Sequence, residues 1–343
     1  MAKFIIIATV ILISIYLTEQ AYFLSEEYIA KINEESKTWT AQQNFPPDTS
    51  ERDIKRLLGL GESKRLTDAL KRLVENSDAP LHKDNHFSFM PKRFDARNRW
   101  KKCTTIGEVR NMGNCVACWA HSTTGAFADR LCIATRGKFN QLLSAENLAF
   151  CCPYCSGGCH SENFSPYLAW VYFQINGVVT GGNYNTSDGC QPYQIPPCIR
   201  HHKGPGSCSE QPPMDDPQCT QTCYGDESID YNNDLRRVKK VYTLTNAVSM
   251  QRDIFIHGPI ETKFSVYSDF LSYKSGVYVK SSNTTYLGGL SVKVIGWGED
   301  NGVPYWLMVN SWGVEFGDQG LFKFLRGQDH CGAEEGATAG IPL

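Results

Sequence analysis

Cys118-Trp119-Ala120-His121-Ser122-Thr123-Thr124-Gly125-Ala126-Phe127-Ala128-Asp129-Arg130-Leu131-Cys132-Ile133-Ala134 is the stretch from which the fold can be read. Apolar residues recur at helical spacing through Trp119, Ala126, Phe127, Leu131 and Ala134, which predicts a helix over residues 118–135 with the Cys118 thiol at its N-terminal end. A second helix is predicted after Ser165, where a capping residue is followed by Pro166 at the first helical position and Gly177 closes the run. Further along the chain the period changes. Residues 260–266, 291–297, 304–309 and 321–325 alternate or run apolar and read as strands. A helical half beside a β half gives an α+β class and implies a cleft between the two.

Composition narrows the function classes. The chain has 343 residues, 41% hydrophobic and 12% aromatic, enough for a sizeable core. Its 34 Lys+Arg stand against 36 Asp+Glu, so it lacks the basic excess that phosphate neutralisation requires, and no nucleic-acid partner is expected. Lys3 precedes an apolar run over residues 4–17, short for a bilayer span and suited to a signal-peptide core, with cleavage near Ala21. No later stretch is long and apolar enough to anchor the mature chain, so no membrane contact is expected after cleavage.

Fourteen cysteines behind a secretory signal argue for an oxidised compartment and a disulfide framework. Cys152-x-x-Cys155 and Cys115-x-x-Cys118 also have the spacing of thiolate zinc ligands. The redox argument favours disulfides, and neither a metal nor a cofactor is expected. Sequons at Asn163, Asn185 and Asn283 are consistent with a glycosylated, secreted surface.

Three segments follow from these changes in character: a signal peptide over residues 1–21, a removable pro-segment over 22–89, and a mature part over 90–343. The pro-segment has no cysteine, is rich in charge, and holds helical stretches at 53–58 and 66–75. Within the mature part, residues 190–223 contain seven prolines and five cysteines with neither periodicity, and read as a stapled functional loop.

Asn114-Cys115-Val116-Ala117-Cys118-Trp119-Ala120, with Val309-Asn310-Ser311-Trp312 far downstream, resembles the nucleophile and orienting-Asn motifs of papain-family cysteine proteases. Cys190-Gln191-Pro192-Tyr193-Gln194-Ile195-Pro196-Pro197-Cys198, the pair His201-His202, Arg326-Gly327-Gln328-Asp329-His330-Cys331-Gly332 and the pro-segment piece Lys37-Thr38-Trp39-Thr40-Ala41 are similar to the cathepsin B-like branch. The resemblance extends over residues 22–343. It implies a papain-like two-lobed fold, a helical lobe and a β-barrel-like lobe with the cleft between them, and a loop at about 190–223 that occludes one end. It also implies disulfides Cys103–Cys132, Cys115–Cys159, Cys151–Cys219, Cys152–Cys155, Cys190–Cys223 and Cys198–Cys208, leaving Cys118 and Cys331 unpaired. In the family the Cys thiol is ionised by the helix dipole and by an imidazolium, which later protonates the leaving amine. A Gln and the Cys backbone hold the oxyanion, and the Asn orients the His.

Cys118, Asn310 and Trp312 match that apparatus; the rest departs from it. In Gly288-Gly289-Leu290-Ser291-Val292-Lys293-Val294, Leu290 stands at the general-base position. An aliphatic group neither moves a proton nor carries charge. A thiol of ordinary pKa, about 8.5, is ionised to only about one part in a few thousand near pH 5. Losing one member of such a unit costs roughly 10⁴ to 10⁶ in kcat. Met112 occupies the oxyanion Gln position, and a thioether is no donor, a loss of about 10² to 10³. Cys159-His160-Ser161-Glu162 replaces a Gly-rich substrate wall with side chains, and Val116 replaces a Gly beside the nucleophile. Gly336 aligns with the acidic residue of the specificity pocket, one place after Glu335.

No other histidine is expected to substitute. His121 lies one turn along the Cys118 helix and points along the lobe rather than across the cleft. His257 precedes Gly258-Pro259 and reads as a helix C-terminal charge. The loop carrying His201 and His202 has an extra residue before the pair, and Asn111 stands where relatives have its Asp partner, which argues against closure. Cys118 reads either as a sluggish thiol or as a small apolar residue at a packed helix start. The expected function is thus a cathepsin B-like homologue, inactive or severely impaired, that binds peptides, cystatin-like inhibitors or its own pro-segment. The alternatives are an active cysteine endopeptidase or exopeptidase using Cys118, and a purely structural secreted protein.

Overall fold

The computed structural model describes residues 22–55, 57–59, 90–155, 158–160, 163–201, 204–211 and 215–343. The expected signal peptide and the helix at 66–75 lie outside the described residues. In the pro-segment, Ser25 caps α1 (Glu26–Glu35), its Oγ accepting the Tyr28 N–H at 3.2 Å, and the helix buries Ile29 and Ile32 on one face. β1 (Trp39–Ala41) and α2 (Glu51–Lys55) follow. The helix expected over 53–58 stops at Lys55. Leu57 and Leu58 are buried beyond it and Gly59 pairs with Gly289, so tertiary contacts draw this stretch out of the helix.

The mature part opens with β2 (Phe94–Asp95) and α3 (Ala96–Arg99), then α4 (Cys118–Ala134), the helix read from the sequence. Fifteen of its seventeen residues are buried, so most of its polar side chains find partners inside the protein. Thr123 and Thr124 donate to the Trp119 and Ala120 carbonyls at 2.6 Å each, and Arg130 is buried against Asp253. α5 (Ala145–Cys151) and α6 (Pro166–Ile175) complete the helical lobe. The second helix starts as its sequence predicts, with Ser165 Oγ accepting from the Leu168 N–H at 3.3 Å.

After the short α7 (Tyr231–Asp234) the β lobe is built from β3 (Val238–Leu244), α8 (Ala247–His257), β4 (Ile260–Tyr267), β5 (Tyr273–Tyr278), β6 (Tyr286–Asp300), β7 (Val303–Val309), β8 (Leu321–Leu325) and β9 (Ala337–Pro342). Their order is β1-β5-β8-β7-β6-β4-β9-β3, with β2 on β6. The four strands expected from the sequence are β4, β6, β7 and β8. β6 is the longest and is buried along most of its length, because α4 packs against it across the lobe junction. Lys293 of β6 reaches Asp129 of α4 at 2.8 Å, both side chains buried, and ties the lobes together.

Six disulfides staple the mature part: Cys103–Cys132, Cys115–Cys159, Cys151–Cys219, Cys152–Cys155, Cys190–Cys223 and Cys198–Cys208. Cys118 and Cys331 are free thiols. Three of the bridges hold the loop at 190–223, whose described residues form turns rather than helix or strand.

Candidate active-site cleft

Cys118 is the first residue of α4 and is wholly buried. Burial pushes its thiol up to about 12, against the backbone N–H groups of Ser291 and Trp119 that pull the other way, and the Glu261 carboxylate pushes it further up. A thiol in that setting stays protonated through the neutral and acid range.

Leu290 lies on β6 opposite Phe264 of β4 and is fully buried. Ser291, the next residue, supplies the contact to the thiol. Its hydroxyl donates to Glu261 at 2.6 Å and lies 2.6 Å from the Ser122 hydroxyl. Thr338 donates to the other Glu261 oxygen. Glu261 is therefore fully buried near the thiol, its two oxygens each taken by a hydroxyl, one on β6 and one on β9. The sequence reading missed it: its signal was a charged residue inside the buried run of β4, where the adjacent positions Glu261 and Thr262 are both buried, one on each face.

On the opposite wall Met112 is buried, its N–H donating to Ser311 O at 2.9 Å and its carbonyl accepting from Tyr193 Oη at 3.0 Å. The Ser311 hydroxyl lies 3.7 Å from its sulfur. No side-chain N–H is available at this position for an oxyanion. Asn310 takes the Ser311 N–H on its Oδ1 at 2.7 Å, and its Nδ2 finds no partner among the described residues. Val116 is buried, its N–H on Cys159 O at 3.1 Å. Ser161, Glu162 and His202 lie outside the described residues.

His121 is held away from the thiol chemistry. Its Nδ1 bonds the Ala117 carbonyl at 3.0 Å and its ring packs edge-on against Tyr193. Burial, with the Arg110 charge adding, holds its pKa well below the usual histidine range, so it stays neutral. His330 is likewise neutral, lowered to about 4 by burial and then by Lys280, whose backbone N–H it accepts at 3.0 Å. His257 ends α8 and His201 is exposed on the loop. Gly336 presents no carboxylate and has open space about it, and the neighbouring Glu335 is exposed.

Two segments cover the cleft. Phe45 of the pro-segment stacks edge-on against Trp312, centroids 6.2 Å apart, and Gly59 pairs with Gly289 beside Leu290. Gly288 allows this approach: a Cβ there would lie 2.8 Å from Leu58 Cβ and 3.0 Å from Gly59 O. Behind it, β1 extends the sheet along β5, Trp39 stacks with Tyr273 and donates to Val279 O at 3.0 Å, and the buried Asn44 amide donates to Leu271 O and Tyr273 O.

The stapled loop also closes down at Trp312, contrary to the sequence expectation. Asn111 donates to Cys198 O at 3.0 Å, so the amide does by hydrogen bonding what a carboxylate does by charge. Arg200, 9% exposed, donates to Gly113 O at 2.8 Å and Trp312 O at 3.3 Å, spanning the two walls. Gly113, at φ 64°, admits the loop, since a Cβ would meet Pro196 O at 2.3 Å. Nothing local in the sequence marked Arg200, whose partners lie 87 and 112 residues away.

Residues 90–341 match the family described as papain family cysteine protease, and residues 24–62 match the peptidase family C1 propeptide. Cathepsin B-like cysteine proteinase 6 of Caenorhabditis elegans is 36% identical over 334 residues, 95% of this chain and 85% of that protein. Cathepsin B-like cysteine proteinase 5 of the same organism is 38% identical over 320 residues, 91% of this chain and 88% of that one. Among solved structures, proCathepsin B S9 from Trypanosoma congolense superposes with a TM-score of 0.78 at 31% identity, covering 94% of this chain and 100% of the other. A cysteine at the head of a buried helix, an Asn on the facing β lobe, a pro-segment laid through the cleft and these likenesses together establish that the chain belongs to the cathepsin B-like branch of the papain family of cysteine proteases.

Proposed function

We propose that this member is catalytically inactive or severely impaired and acts by binding, taking peptide segments, cystatin-like inhibitors or its own pro-segment in the cleft. The observation that carries the reading is the pairing of Cys118 with no proton carrier: Leu290 occupies the strand position of the base, and the nearby charge is the carboxylate of Glu261, which opposes ionisation. Met112 removes an oxyanion donor in addition. In this reading Cys118 and Asn310 are retained scaffold residues, and Trp312 carries the ligand-facing wall. The chain enters the secretory pathway through residues 1–21, is secreted or lysosomal, carries N-glycans, and is divided near residue 90 by another protease.

The test is self-maturation. Purified precursor held alone at acid pH should remain whole, and a form cut by an added protease should hydrolyse peptides no faster than its Cys118→Ala variant. Self-cleavage abolished by Cys118→Ala would overturn the proposal in favour of an active peptidase.

A further inference from the structure

We propose that Asn283 carries an N-linked glycan whose first sugars lie in the seam between the pro-segment helix and the mature part, where they slow departure of the cut pro-segment. This rests on the secretory reading above. Asn283 opens the sequon Asn283-Thr284-Thr285 and is exposed on the turn between β5 and β6. It lines a groove of about 230 Å³ together with Phe23, Tyr28, Lys31 and Glu35 of the pro-segment.

The turn is held in place relative to that helix. Ser268 donates its N–H to Thr285 O at 2.9 Å and accepts the Thr285 N–H on its Oγ at 3.1 Å. The same Oγ lies 3.1 Å from Tyr28 Oη of α1. Asp269 accepts the Ser281 N–H at 2.8 Å at the start of the turn. One serine thus fixes both the base of the glycan-bearing turn and the pro-segment helix that faces it.

The groove suits a sugar chemically. Phe23 and Tyr28 offer half-exposed aromatic surface to the apolar C–H face of a pyranose, and the exposed Lys31–Glu35 pair on the rim offers a donor and an acceptor to its hydroxyls. A glycan bonded covalently to the mature part and touching α1 holds that helix after the chain is cut, because leaving requires breaking those contacts.

Precursor is expressed in a glycosylating eukaryotic host as the unaltered chain, as Asn283→Gln and as Thr285→Ala, which keeps the asparagine but loses the sequon. Glycans are mapped by peptide mass, the chain is cut with an added protease, and release of the pro-segment is followed by size exclusion. The unaltered chain should carry a glycan at Asn283 and release roughly three- to ten-fold more slowly than both variants, the effect of one or two ordinary hydrogen bonds. Trimming the glycan to its first sugar should keep most of that retardation. Glycans at Asn163 or Asn185 with none at Asn283, or equal release rates, overturn the inference while leaving the secretory reading intact. No glycan anywhere overturns both.

Discussion

The face that receives the pro-segment and the face that would carry out hydrolysis have fared differently in this chain. Along the first, the strand pairing of β1 with β5, the Trp39 stack, the Asn44 bonds, the Phe45–Trp312 contact and the glycine-permitted approach at Gly288 form one continuous fit. At the second, Cys118 and Asn310 are present, while the positions that the proposed reading gives to the proton carrier and the oxyanion donor hold the buried Leu290 and Met112. Packing tolerates those replacements because Leu and Met fill buried space well, whereas catalysis does not. On the proposed reading, a scaffold keeps its recognition surface where its chemistry is lost.

The largest effect expected from testing that contrast is a gain. Leu290→His with Met112→Gln should raise peptidase activity of the cut form by several orders of magnitude, recovering part of the roughly 10⁴ to 10⁶ that such a unit contributes. Failure to recover, in a variant that folds and still binds its pro-segment, would mean that the cleft walls block hydrolysis independently.

On the recognition face, Trp39→Ala removes a buried ring and its bond to Val279 O, and should weaken pro-segment binding by about 3–5 kcal/mol. Isothermal titration of the pro-segment peptide into the cut form measures it. A loss below about 1 kcal/mol would show that Phe45 and residues 57–59 carry the affinity instead.

Between the lobes the effects are smaller and depend on pH. His121 has a folded pKa well below its unfolded value near 6.5, so the unfolded chain takes up a proton first, and stability falls by about 1.4 kcal/mol per pH unit below 6.5. Arg110, Glu108 and Lys293 line the same cavity, and Tyr193 packs on the ring. His121→Phe should flatten the acid side of the stability profile in urea unfolding at pH 5 and 7. Glu146 acts in the opposite sense. Burial raises its carboxyl to about 7, so its contribution is complete below its unfolded value near 4.5 and declines as pH rises toward 7, and Glu146→Gln should remove that decline.

The smallest effect expected is at Glu261. Glu261→Gln removes a charge but leaves the burial that dominates the Cys118 shift, so the thiol pKa should fall only slightly.

Much of this was legible along the chain. The Cys118 helix, the Ser165-Pro166 start and four strands declare themselves through local period and capping. What was not legible is set by distance in sequence. The Lys293–Asp129 tie, the Glu261 hydroxyl cradle and the Arg200 anchor join residues separated by 30 to 164 positions, and no periodicity reports which buried polar group meets which. The loop was misjudged for the same reason: an Asn at position 111 looked like a lost ion pair, while the backbone carbonyl it meets, Cys198 O, has no sequence signature.

Thiol reactivity of position 118 in the cut form, followed with an epoxide alkylating agent from pH 5 to 10, tests the central claim most directly. Labelling should be negligible at acid pH and rise only above pH 9, as for an unassisted, buried thiol. Rapid selective labelling of Cys118 at pH 5 would contradict the account, because it would require a cation beside the sulfur.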